Sequence, residues 1–205
     1  MKFVCVTGVD GSGKSTQISA LARAFAEQGR AAGRVSIWDG LSSERMRGAL
    51  AFRSREDVYR YLGMLTPAAR AYFLFHALQV SMDLAVAGVW DVLLLDGYWY
   101  KYYATEVAHG ADREAVRAMA LGFARPDRTF YLTVDPAVAT ARKACRSDYE
   151  SGYGDARRFL DFQRRSQTLL DALAREHRWT ALDGRSEPEQ ITRTIFGELQ
   201  KEGAA

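Results

Sequence analysis

The sequence predicts a three-layer α/β fold built on a mostly parallel sheet. Short apolar runs alternate with helical patterns along the whole chain. The most apolar of them, Asp91-Val92-Leu93-Leu94-Leu95-Asp96, is continuous rather than alternating, as expected for a strand covered on both faces. The first run, Lys2-Phe3-Val4-Cys5-Val6-Thr7, leads through a glycine loop directly into a helical stripe.

That loop is Gly8-Val9-Asp10-Gly11-Ser12-Gly13-Lys14-Ser15-Thr16, which fits the phosphate-loop pattern G-x-x-x-x-G-K-[ST]. Its context fits as well. Ile18, Leu21, Ala22 and Phe25 recur at i, i+3, i+4 and i+7, one face of a helix. Glycines let the backbone curl so that several N–H groups converge on one anion, and the helix N-terminus adds partial positive charge. Lys14 supplies a point charge for β- and γ-phosphates, and Ser15 a hydroxyl for a divalent cation.

The elements follow in order. The first helix stops near Gln28-Gly29. Residues 34–38 read as a second strand that delivers Asp39-Gly40 at its C-terminal end. Ser42 is placed to cap a helix over residues 42–50, and residues 54–64 form another short one. Thr66-Pro67 is a helix start, a cap followed by proline at the first position. The helix it opens runs to about residue 87 and is apolar nearly all round, so it is expected to be buried, with His76 in the core or lining a pocket. The third strand ends at Asp96. An aromatic segment follows, Tyr98-Trp99-Tyr100-Lys101-Tyr102-Tyr103, which suits either base stacking or packing. A helix spans about 112–123, a fourth strand 129–134, and Pro136 opens a helix passing Arg142, Lys143 and Arg146. Residues 147–154 are polar with two glycines, a mobile-loop signature. A long helix to about 177, a fifth strand at 179–183 and a helix at 188–199 complete the chain.

At 205 residues the chain is expected to form one domain, 1–205. Its 48% apolar and 26% charged residues are ordinary for a soluble globular protein. A net charge of +3 suits an anionic substrate without demanding nucleic acid. Cys5 and Cys145 are unpatterned, which gives neither a disulfide framework nor a zinc site and fits a reducing cytoplasm. The chain enters a strand and a polar loop at once, so no secretory leader is expected, and no apolar run approaches membrane-spanning length.

Three stretches resemble the thymidylate kinase family. They are the loop from Gly8 to Gln17, then Pro126-Asp127-Arg128-Thr129-Phe130-Tyr131-Leu132-Thr133-Val134-Asp135-Pro136, and the closing Leu182-Asp183-Gly184. Asp161-Phe162 with Arg164 and Arg165 also looks like the family's helix after its lid. The resemblance implies a P-loop kinase fold with a five-stranded parallel sheet and a mobile lid, here about residues 142–155. It implies ATP as donor and Mg²⁺ as cofactor. Asp10, Gly11, Ser12, Gly13, Lys14, Ser15 and Thr16 would hold ATP phosphates. Asp96 matches the aspartate opening the family's Asp-Arg-Tyr motif and would hold Mg²⁺ with Ser15; by position alone it also suits a cap or turn. Arg142 and Arg146 match basic positions leading into the lid, where they would stabilise the transferred phosphoryl group; as bare charge they also suit a solvated face. The acceptor would be a small nucleotide, and a homodimer is expected from the resemblance only.

The acceptor side departs from the family. Trp38-Asp39-Gly40 stands where the family has Arg-Glu-Pro, Gly97 where it has the arginine of Asp-Arg-Tyr, and Lys101 where it has a serine. Phe75 fits the family's phenylalanine under the base, but Gln79 replaces the arginine one turn later. Arg47 matches a second-helix arginine, and Asp10 and Tyr98 stand at acceptor-side positions. Arg45, Arg70 and Lys101 are the candidate replacements for the missing charge. Asp39 and Gln79 also resemble deoxynucleoside kinases, which carry a carboxylate base after the second strand and a glutamine on the buried helix. A glutamine amide matches a pyrimidine edge, though backbone can equally satisfy it. The expectation is phosphorylation of a pyrimidine monophosphate, dTMP first. The alternative is phosphorylation of a hydroxyl on a nucleoside or modified pyrimidine, with Asp39 as general base.

Overall fold

The structure is a computed structural model and describes residues 1–44, 52, 54–142 and 156–201. Five strands, β1 (Lys2–Thr7), β2 (Ala32–Val35), β3 (Val92–Asp96), β4 (Arg128–Thr133) and β5 (Thr180–Asp183), pair in the order β2-β3-β1-β4-β5. Every pairing is parallel.

Side chains alternate across the sheet and so feed two separate cores. Val4 and Val6 of β1, Val92 and Leu94 of β3, and Phe130 and Leu132 of β4 face one layer. There they meet α1 (Lys14–Glu27) through Ile18, Leu21 and Phe25, and α9 (Pro188–Lys201) through Ile191, Ile195 and Leu199. Cys5, Leu93, Leu95 and Tyr131 face the other layer. That side is covered by α4 (Pro67–Val86), α5 (Tyr98–Ala108) and α8 (Ala156–His177). The shorter helices are α2 (Asp39–Ser42), α3 (Arg55–Met64), α6 (Arg113–Ala120) and α7 (Pro136–Ala141).

Local signals explain the helix starts. Thr66 Oγ1 accepts from the Ala69 N–H at 3.3 Å with Pro67 next, and Asp135 accepts from the Ala137 N–H at 2.7 Å with Pro136 next. Such caps contribute about 0.5–2 kcal/mol each.

Several expectations are corrected. The second strand lies earlier than residues 34–38, at Ala32–Val35. Gly33 packs so tightly on Trp90 and Leu93 that a Cβ would sit 2.7–2.8 Å from them, which sets the register there. Ser36 and Asp39 then hydrogen-bond each other and turn the chain into α2. Ser42 closes that helix instead of opening one, and its hydroxyl donates to the Trp38 carbonyl. The rest of the helix expected at 42–50 lies, from residue 45, outside the described residues. The aromatic segment is the first half of α5. On α4, His76 and Tyr72 are exposed, so the helix has a solvent face despite its composition. The lid expected at 142–155 lies, from residue 143, outside the described residues, and Arg146 with it. Among the described residues, no helix is long and apolar enough to cross a membrane.

Candidate active site

Adjacent parallel strands bring the loop after β1 and the carboxylate after β3 together. Val6 lies opposite Asp96, the Gly97 N–H donates to the Val6 carbonyl at 2.9 Å, and the Thr7 hydroxyl donates to the Gly97 carbonyl. The C-terminal ends of the strands in such a sheet form its ligand crevice. A cavity of about 660 Å³ opens there.

The loop's glycines are required. Gly11 has φ +83°, and a Cβ on it would lie 2.2 Å from the Ala139 carbonyl oxygen. Gly13, at φ 99°, precedes α1 and gives it no side-chain cap. The first amides of α1 therefore have no partner within the helix, and their residues Lys14, Ser15 and Thr16 line the cavity, where such amides suit an anion. Ser12 Oγ is buried with no hydrogen-bond partner among the described residues, a second group that suits a phosphate oxygen. Lys14, 6% exposed, donates to the Val9 carbonyl at 2.8 Å, which arches the loop beneath its own ammonium. Thr16 and Asp10 line the same cavity.

Ser15 Oγ donates to Asp96 Oδ2 at 2.6 Å. A hydroxyl and a carboxylate so placed, beside a phosphate cradle, are a hard oxygen donor set suited to Mg²⁺. Beneath them, burial pushes the Cys5 thiol well up, and the nearby Asp96 carboxylate adds to this, so Cys5 is an apolar filler. The far wall runs from Gly184 to Pro188. Arg142 Nη1 donates to the Gly184 carbonyl at 2.7 Å, tying the end of α7 to this wall. Arg185 forks onto Asp183 and holds that carboxyl down at about 2.

The acceptor-side residues separate into two groups. Lys101 lines the cavity, and its ammonium lies 2.8 Å from Asp10 Oδ1. Asp39, Gln79, Phe75, Tyr98 and Arg70 do not line it. Asp39 is exposed, and its Oδ2 accepts from the Ser36 N–H at 2.6 Å, the work of a turn aspartate. Gln79 is exposed and donates to Asp83 one turn along its own helix at 2.7 Å. Phe75 is in the core, edge-on to Phe123. Tyr98 is 1% exposed and donates its hydroxyl to the Ala124 carbonyl. Arg70 is buried in an ion pair with Glu106 at 2.7 Å, a bridge between α4 and α5. Arg45 and Arg47 lie outside the described residues. Of the aromatic run, Trp99, Tyr100 and Tyr103 pack, and Tyr102 alone reaches the cavity wall among the described residues. Burial pushes the Tyr102 hydroxyl up, which keeps it a hydrogen-bond donor at neutral pH.

Sequence reasoning missed Trp38, which lines the cavity with its ring edge-on to Tyr59 at 6.0 Å. Its place at the C-terminal side of the second strand was the available signal. It also missed Gln17, whose amide donates to the Pro188 carbonyl and accepts from Thr192, fixing the far wall to α1.

Fold and site together define a P-loop nucleotide kinase. A model of the thymidylate kinase family matches residues 6–195. The chain belongs to that family. It is 27% identical over 210 residues to the thymidylate kinase of Carboxydothermus hydrogenoformans, covering 97% of each chain. It is 30% identical over 210 residues to that of Jannaschia sp., covering 94% of this chain and 93% of the relative. With the Solidesulfovibrio magneticus thymidylate kinase it shares 29% over 217 residues, covering 97% and 99%.

Proposed function

We propose that the chain transfers the γ-phosphoryl group of ATP to the phosphate of a pyrimidine deoxynucleoside monophosphate, with dTMP the preferred acceptor. The carrying observation is the Ser15–Asp96 contact at the rim of a phosphate cradle, in a cavity that continues to Trp38 and Lys101. The names of relatives aligned over nearly their whole length support the acceptor.

The α1 amides, Ser12 and Lys14 would hold the donor's β- and γ-phosphates. Ser15 and Asp96 would hold Mg²⁺, which when bound neutralises charge on those phosphates. Arg142 stands at the rim, where a guanidinium stabilises negative charge spreading over the transferred group. A phosphate acceptor attacks as an anion, so no general base is required. The ties of Asp39 to Ser36 and of Gln79 to Asp83 fit this route and give no support to a hydroxyl acceptor. By the family resemblance we also place the enzyme in the cytoplasm as a homodimer.

The test is turnover with ATP and Mg²⁺ on dTMP, dUMP, thymidine and a hydroxymethyl pyrimidine nucleoside. The highest kcat/KM is expected on dTMP. Turnover confined to the two hydroxyl acceptors would overturn the proposal.

A further inference from the structure

We infer that Trp38 is the platform on which this enzyme lays the ring of its acceptor's base, and that the turn after β2 is built to present it. The inference rests on the kinase reading above and adds a residue to it. It does not depend on whether the reacting group is a phosphate or a hydroxyl.

The fold puts Trp38 on one flank of the cavity. The strand order β2-β3-β1-β4-β5 sets the phosphate loop, which follows β1, in the middle. To one side of it the cavity wall is Arg142 and residues 184–188. To the other side it is Ser36, Ile37 and Trp38 after β2, with Lys101 and Tyr102 of α5. On this second flank Trp38 is half-buried, with its ring packed at one edge of the core and turned edge-on to Tyr59. Phe75, the ring that the family resemblance puts under the base, is in the core and does not line the cavity. Tyr102 is 5% exposed, so most of its surface is already covered. The indole is thus the large ring left in reach of a planar ligand among the described residues.

The backbone under Trp38 is pinned on both sides. The Ser36 N–H donates to Asp39 Oδ2 at 2.6 Å, and the Asp39 N–H donates to the Ser36 carbonyl at 3.1 Å, which closes the turn around residue 38. The Trp38 carbonyl accepts from the Ser42 N–H and from the Ser42 hydroxyl. Ser81 of α4 clamps the turn from below: its hydroxyl donates to the Ile37 carbonyl at 2.9 Å and accepts from the Gly40 N–H at 2.8 Å. A Cβ on Gly40 would lie 2.8 Å from the Ser81 nitrogen, so only glycine lets α2 seat this closely on α4. A ring held in place before the ligand arrives loses little freedom on binding. An indole face stacks on any flat heteroaromatic ring, and the gain does not depend on hydrogen bonds. This also suits the position of Gln79, whose amide is engaged with Asp83 and does not reach the cavity to read a base edge.

The experiment measures calorimetric binding of dTMP, tryptophan emission during the same titration, and the KM for ATP, in the wild type, Trp38→Ala and Trp38→Phe. Loss of the platform in Trp38→Ala should weaken dTMP about 10- to 100-fold, with the KM for ATP moving less than about threefold. Trp38→Phe keeps a ring and should hold dTMP within about fivefold of wild type. It should nevertheless lose the change in emission that dTMP causes in the wild type, because Trp38 alone of the four tryptophans lines the cavity. Unchanged dTMP binding in Trp38→Ala, a loss in Trp38→Phe as large as in Trp38→Ala, or an emission change that persists in Trp38→Phe would overturn the inference and spare the proposed function. A KM for ATP that rises in step would overturn it too, by giving the ring to the donor. If the wild type binds and phosphorylates thymidine but not dTMP, the proposed function fails while the same titrations with thymidine, which carries the same ring, decide the inference. If neither binds, both fail.

Discussion

The two halves of the cavity are built from different material. On the proposed donor side the cradle is mainly backbone, left-handed glycines and helix amides, with one lysine side chain anchored to a carbonyl of its own loop. On the proposed acceptor side recognition would fall to side chains, and several of those depart from the family pattern. Gly97, Lys101, Asp39 and Gln79 all stand where the family has other residues, and only Lys101 reaches the cavity. Backbone recognition depends on spacing, so it survives at low identity. Side-chain recognition can be rewired while the scaffold stays fixed.

The largest expected effect tests the donor half. Lys14→Ala should lose about 2–4 kcal/mol of transition-state stabilisation, a fall in kcat of roughly 30- to 1000-fold. Near-wild-type turnover in a variant with a normal melting curve would remove the donor half from the comparison. Next, Asp96→Asn should lower kcat roughly 10- to 100-fold at limiting Mg²⁺ and raise the Mg²⁺ needed for half-maximal rate, because it discharges the oxygen that Ser15 faces. ATP binding without metal should change little. A variant with an unaltered Mg²⁺ dependence would make Asp96 a structural cap.

Gly97→Ala sharpens the acceptor half. The new methyl presses on the Lys101 stem from a strained φ, so KM for dTMP should rise several-fold while kcat holds within about threefold. The strain should cost about 1 kcal/mol of stability. Asp39→Asn should be the quietest change at the site, within about twofold on dTMP, since asparagine keeps the oxygen that accepts from Ser36. A general base at that position would instead cost about 10²–10⁴ in kcat.

The smallest effect lies outside both halves. Burial lowers the pKa of His177, with Arg125 and Arg117 pushing the same way against Glu176. The folded protein then binds this proton less readily than the unfolded chain. Its contribution to stability is full above the unfolded value, near 6.5, and falls away as pH drops below it. His177→Gln should flatten the decline in melting temperature between pH 7 and 5. An unchanged slope would show that other groups carry it.

What the sequence revealed follows the same division. The glycine loop, Thr66-Pro67, Asp112 and Pro136 act through neighbours a few residues away, and each opens its element where expected. Asp96 was legible because a strand end is a definite place in a parallel sheet. The start of α5 was not, because tyrosine and tryptophan there pack against α8 and β4, and that burial overrides their strand preference. Phe75 and Gln79 sit one turn apart on α4, yet one is core and the other solvent-facing. Composition cannot tell those faces apart when the helix is apolar nearly all round.

The two hydrogen bonds of the Gln17 amide have a consequence for synthesis. They join a residue of the phosphate-loop helix to partners 171 and 175 positions later. The strand before the loop is likewise central, waiting between β3 and β4 for both neighbours. A nascent chain therefore carries its nucleotide loop out of the ribosome long before the segment that ties it down. Contacts so distant along the chain are closed late, after their loop entropy has been overcome. Until then the apolar faces of β1 and α1 are uncovered, which is the interval in which such a chain most needs a chaperone.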